Sequence, residues 1–203
     1  MNTAPSNPRQ LTLADIADTR AYERERAEFR REVIEIKARR RVSVGTVVTV
    51  LFENRQTIRF QIQEMARVER IATDEGIQIE LDTYNPLIPA PGSLRATLFL
   101  ELTSDDQMRE WLPKLVGIET HLAIRLADGS EVRCVVDPDH AALLTRETET
   151  AAVHYIGWEF TDAQVEAFTD GSALVIDHPA YRESVELRRE TIAELRADLL
   201  ADT

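Results

Sequence analysis

Residues 51–89, LFENRQTIRFQIQEMARVERIATDEGIQIELDTYNPLIP, place polar groups where a packed helix pair should be apolar. The run reads as a strand end, a helix over 56–71, a second helix over 74–84 and a proline-bounded turn. At about 100° per residue, Ile58, Ile62, Met65 and Ala66 form one apolar stripe, while Arg59, Gln63, Arg67 and Arg70 fall opposite. Glu69 lands inside the stripe, Gln61 between Met65 and Val68, and Glu64 between Val68 and the pair Phe60 and Ile71. On the second helix Ile77, Leu81 and Tyr84 make the stripe, with Glu80 at its edge. A carboxylate so placed must be paired or protonated. Either Arg55, Arg59 or backbone N–H groups satisfy the acids and lock the helices together, or the acids build a binding or metal site. The expected arrangement is one inward polar cluster of Gln61, Glu64, Glu69 and Glu80, partnered by Arg55 or a metal, with Asn54, Tyr84 and Asn85 as further binding candidates.

Upstream, residues 1–10 hold two prolines and read as a mobile tail. Thr12 and Asp15 stand at capping-box spacing. Residues 19–40 read as a long helix whose Tyr22, Phe29, Val33 and Ile36 share a face. Its basic end, Lys37 and Arg39 to Arg41, suits the helix dipole and is also a candidate anion patch. Strands follow over 42–44 and 46–53; apolar residues of both parities in the second indicate a strand covered on both faces.

Downstream, the prolines near 85–93 mark the one internal boundary worth considering, in what otherwise reads as a single composite domain over 11–203. Residues 94–102 alternate as a strand, Ser104 caps a helix, and 120–136 form a hairpin. A three-residue loop, Ala127-Asp128-Gly129, pairs Leu126 with Ser130, Ile124 with Val132 and Leu122 with Cys134, with Gly129 left-handed. A two-residue turn would instead set apolar chains beside charged ones. Cys134 is therefore expected as a small core residue. Residues 138–149 read as a loop or short helix. Residues 151–160 form a strand on which His154 shares a face with Ile156 and Trp158. Asp177-His178-Pro179 ends the last expected strand, as a site or as a turn in which Asp177 orients His178, and Ile192, Leu195 and Leu199 stripe a C-terminal helix. The fold class is α+β: mostly antiparallel sheets packed with a long N-terminal helix, a central helix pair and a C-terminal helix.

The net charge of −12 and pI of about 4.8 disfavour duplex nucleic acid and anionic lipid as partners. One cysteine excludes an intrachain disulfide and a thiolate-held cluster. No stretch approaches the roughly 20 apolar residues of a membrane span, and no secretory signal opens the chain, so a cytoplasmic protein is expected. No Rossmann glycine fingerprint, Walker loop, HExxH or GxSxG occurs.

The run LFENRQTIRFQIQEMARVERI with ELDTYNPLIP, together with LVGIE at 115–119, AVHYI at 152–156 and DHPAY at 177–181, resembles the bacterial family catalogued as domain of unknown function number 3501. Members of that family are often encoded near rubrerythrin-like and iron–sulfur oxidoreductase proteins. The resemblance thus implies a binding or accessory protein of a redox or peroxide-stress system, with such a protein as partner. Two alternatives come from the residues. Glu64, Glu80, His154 and His178 would suit iron, manganese or zinc in a metal-dependent enzyme. Arg55 and Asn54 would suit a small anionic metabolite.

Overall fold

Strand alternation builds the molecule. In the computed structural model, which describes residues 7–136 and 149–200, two four-stranded antiparallel sheets stack face to face. The first has the order β1 (Arg41–Val44), β2 (Val48–Phe52), β3 (Ser93–Leu100) and β6 (Val153–Glu159). The second has the order β5 (Glu131–Arg133), β4 (Leu122–Arg125), β7 (Ala173–His178) and β8 (Tyr181–Glu186). Val50, Phe52, Leu98 and Trp158 from one inner face pack with Leu122, Ile124, Leu174 and Ile176 from the other in one core. A bridge between Val135 and Gly157 joins the two sheets at the β5 and β6 edges.

Every residue of β2 is buried, as its apolar residues of both parities require. The outer face of the first sheet lies under α1 (Thr19–Arg40), α2 (Arg55–Glu69) and α3 (Asp74–Tyr84). Among the described residues there are three further helices: α4 (Asp105–Lys114), α5 (Asp162–Ala167) and α6 (Arg189–Leu200). The fold is therefore α+β, and none of these helices is long and apolar enough to cross a membrane.

The basic end of α1 is a clamp to the C-terminal helix. Arg39 Nε lies 2.5 Å from Glu194, and the buried Arg40 reaches Asp198 at 2.6 Å and Glu194 at 3.3 Å. Arg39 and Arg40 of the anion patch read there are thus taken up by the acids of α6, while Arg41 pairs with Glu101 at 3.3 Å. At the other end of the chain, Asn7 Nδ2 donates to Ile88 O at 2.8 Å and Arg9 Nη1 to Asp198 O at 2.8 Å. These bonds tie residues 7–10 to the body. The loop or short helix read over 138–149 lies outside the described residues, except for Glu149.

The hairpin follows the register its side chains demand. Ile124 pairs with Val132, Leu126 N donates to Ser130 O at 2.8 Å, and Gly129 has φ +88°. β8 is the strand that alternation does not reveal. Beyond Tyr181 its residues are mostly charged and exposed, as on a solvated edge. Tyr181 Oη donates to Val44 O at 2.8 Å and accepts from Thr46 N and Val47 N, fastening β8 to the β1–β2 turn.

Candidate functional site

Beneath α1, α2 and α3, the outer face of the first sheet leaves a cavity of about 200 Å³. Its polar wall includes Lys37, Arg41, Glu53, Gln61, Tyr84 and Tyr155; Leu51, Ile58 and Phe99 are among its apolar lining. Glu53 follows β2 directly and is buried. Its Oε1 accepts from Thr97 Oγ1 at 2.7 Å and its Oε2 from Thr57 Oγ1 at 2.5 Å. Thr57 Oγ1 accepts from Asn54 N at 3.0 Å and lies closer to Glu53 than to its other acceptor, Asn54 O at 3.1 Å. Both partners of the carboxylate are neutral. Across the cavity, burial pulls the Lys37 ammonium below the usual lysine range, while the charge of Glu53 opposes this. Burial, then the neighbouring Tyr84 and Glu53, push the Tyr155 phenol up, so it stays protonated as a donor.

Two of the eight sequence candidates reach this cavity, Gln61 and Tyr84. Asn54 is the cap of α2: its Oδ1 accepts from Gln56 N and Thr57 N. Arg55 is engaged by Asp15 at 2.6 Å and by Arg9 O, and Asn85 clasps the Leu11 backbone with bonds of 2.8 and 2.9 Å. An anion held by Asn54 and Arg55 would have to displace those contacts.

The single inward cluster of Gln61, Glu64, Glu69 and Glu80 does not form. α2 is rotated relative to the expected stripe, because it packs on α1 and on the 11–17 segment as well as on the sheet. Its buried face is Thr57, Ile58, Ile62, Gln63 and Ala66. Gln63, expected in solvent, accepts from Ala17 N at 2.8 Å and donates to Ala17 O at 3.2 Å. Glu69 ends the helix and is exposed. Glu64 turns to α1, where Arg26 grips both its oxygens at 2.7 and 2.9 Å, Arg67 adds bonds, and Tyr22 Oη donates at 2.7 Å. The Arg26 hydrogen bonds lead the causes that hold its carboxyl down at about 2. Glu80 is half-buried; burial, then the charge of Glu69, raise its pKa.

The proposed metal set stays apart. Glu64 is saturated by cations. Buried His154 places Nε2 at 2.8 Å from Thr150 Oγ1 and 2.9 Å from Ala151 O, with Glu119 4.0 Å from Nδ1. His178 Nε2 meets Val116 O at 3.1 Å and its Nδ1 accepts from Ala180 N; Asp177 bonds Arg133 instead of orienting it. Among the described residues no three His, Cys, Asp or Glu side chains gather to hold a metal ion. Cys134 is partly buried, donates to Glu119 O at 3.2 Å, and has its pKa raised by burial.

A larger groove, about 440 Å³, runs between residues 13–20 and the α2–α3 turn. Three of its polar groups are engaged: Gln63 on Ala17, and Tyr22 and Arg67 on Glu64. The smaller cavity sets a buried carboxylate and a lysine in its lining. Sequence reasoning read Lys37 only as part of the basic end of α1, and it missed Glu53, Thr97 and Tyr155. The signal for Glu53 was present. It shares parity with Thr49 and Leu51 at the end of a strand read as covered on both faces.

Fold and site together define an α+β protein of two stacked antiparallel sheets, with a helical layer that encloses a small polar cavity. The family model described as protein of unknown function (DUF3501) matches residues 10–199, and the chain belongs to that family. A crystal structure from Burkholderia pseudomallei K96243, described as a novel protein of unknown function, is similar at 37% sequence identity. The similarity covers 94% of this chain and 99% of that one, with a TM-score of 0.85. No curated protein matches.

Proposed function

We propose that this chain is a binding protein for a small polar molecule held in the cavity between the first sheet and α1–α3. The observation that supports this is the buried Glu53 on the cavity wall, whose carboxylate accepts hydrogen bonds from the neutral hydroxyls of Thr57 and Thr97. A carboxylate needed only for packing is better replaced by an apolar side chain, since burying its charge is costly. About 200 Å³ lies below the roughly 300–1,000 Å³ of sites for drug-sized ligands, so the occupant is smaller than a nucleotide. In the setting that the family resemblance implies, the chain would be the cytoplasmic accessory component of an iron–sulfur or rubrerythrin-type redox system, with such a protein as its partner.

The test is native mass spectrometry of the full chain after incubation with a small-molecule cell extract, beside Glu53→Gln and Tyr155→Phe. A retained small molecule, lost in Glu53→Gln, is expected. Retention unchanged in both variants, or none by the unaltered protein, would overturn the cavity as the site.

A further inference from the structure

The charges on the cavity wall specify more than polarity. Glu53 and Lys37 approach the same space from different elements, β2's end and the last turns of α1. Glu53 acts on Lys37 through its field, with no hydrogen bond between them. Two opposite charges desolvated but held apart lose most of the attraction that direct contact would give. Each therefore retains capacity for a ligand charge of the other sign. A carboxylate has about four acceptor positions, and the two threonine bonds use half of them. Arg41, the other cation on the wall, is drawn aside to Glu101 at 3.3 Å and lies 5.4 Å from the Phe99 ring centre. Lys37 lies 5.6 Å from the Phe60 ring centre. The cavity, at about 200 Å³, falls below the roughly 300–1,000 Å³ of sites for drug-sized ligands. That space suits a compact molecule with both charges a few bonds apart.

Building on the binding reading above, we propose that the ligand is a small zwitterion of the size of a free α-amino acid. Its ammonium is held by Glu53, its carboxylate faces Lys37, and Gln61, Tyr84 and Tyr155 supply neutral hydrogen bonds around it. A plain anion would leave Glu53 facing a like charge, and a plain amine would leave Lys37 doing so.

The test is isothermal titration calorimetry of the full chain with the individual standard amino acids. For any binder, the matched amine lacking the carboxylate and the matched acid lacking the amine are titrated as well. At least one amino acid is expected to bind, its two half-molecules about tenfold or more weaker, since each loses a charge-assisted contact. Glu53→Gln and Lys37→Met should each weaken binding about tenfold or more. Lys37 is only partly buried, so Lys37→Met keeps the test valid if Glu53→Gln fails to fold. Equal binding by a half-molecule, or by Lys37→Met, would overturn the zwitterion while leaving a cavity ligand standing. No binding by any amino acid would overturn it too, and the extract experiment then decides the cavity separately.

Discussion

Glu64 shows how one side chain can look functional and be structural. It accepts from Tyr22, Arg26 and Arg67, joining α1 to α2 over a sequence separation that no local pattern exposes. Its depressed pKa has a definite consequence. The unfolded carboxyl titrates near 4.5 and the folded one at about 2. The stability it contributes is therefore fully present above the unfolded value and is lost as pH falls from about 4.5 toward 2. Glu64→Gln should lower the unfolding free energy at pH 7 by about 1–2 kcal/mol, discounted for partial exposure. The difference from the parent protein should shrink toward zero near the acid end of that window, measured by urea titration at several pH values. A gap that stays constant with pH would remove the ion-pair explanation. The same residue marks a limit of reading by angle. A helical wheel gives each residue's direction, but not which of several neighbours lies there. Glu64 was therefore legible as partly buried, and its arginine partners were not.

Turns were easier to read, because their chemistry is local. Gly129 sits at φ +88° with no atom near the position a Cβ would take, whereas Gly45 at φ +67° faces Tyr181 Oη and Glu183 Cγ. Gly129→Ala should cost about 1 kcal/mol through its backbone conformation alone. Gly45→Ala should cost clearly more, because the added carbon also displaces the Tyr181 hydroxyl that bonds Val44, Thr46 and Val47. Urea midpoints of the two variants check the ranking; equal losses would mean that the Tyr181 fastening contributes little. The hairpin register was legible for the same local reason: only the three-residue loop puts Val132 opposite Ile124. β8 was not, because its burial pattern carries almost no apolar signal beyond Tyr181. The face of α2 was misread because segment 11–17 and α1 cover a flank that a two-layer packing would expose. Gln63 replaces an apolar residue there by bonding both backbone groups of Ala17. The cavity fell from view for a related reason. It lies where that helical layer meets the sheet, and its walls include residues of α1, β1, β2, α2, α3, β3 and β6.

The prolines near 85–93 suggest a seam, yet the sheet runs across it. β2 precedes the seam and β3 follows it, and they pair from Val48 with Leu100 to Phe52 with Ala96. Gly92, inside the seam, donates to Leu199 O at 3.0 Å and accepts from Phe160 N at 2.8 Å. The two ends of the chain also hold each other, with Arg9 Nη1 donating to Asp198 O at 2.8 Å, and Arg40 at the end of α1 pairs with the Asp198 carboxylate. Cutting the molecule at this point would leave the first sheet without a pairing at its centre, so the two parts should not unfold separately. Trp158 lies fully buried between the sheets and reports their core, while far-ultraviolet circular dichroism is dominated by the helices. Denaturant curves from the two probes should coincide. Arg40→Met should shift both together, lowering stability by about 2 kcal/mol, because it strips a buried cation from Asp198 and Glu194, which keep some solvent access. With the second tryptophan removed as Trp111→Phe, a helical signal that falls first while Trp158 fluorescence holds would mean that the layer roofing the cavity opens independently of the sheets. A ligand bound beneath it would then raise the midpoint of the helical transition alone.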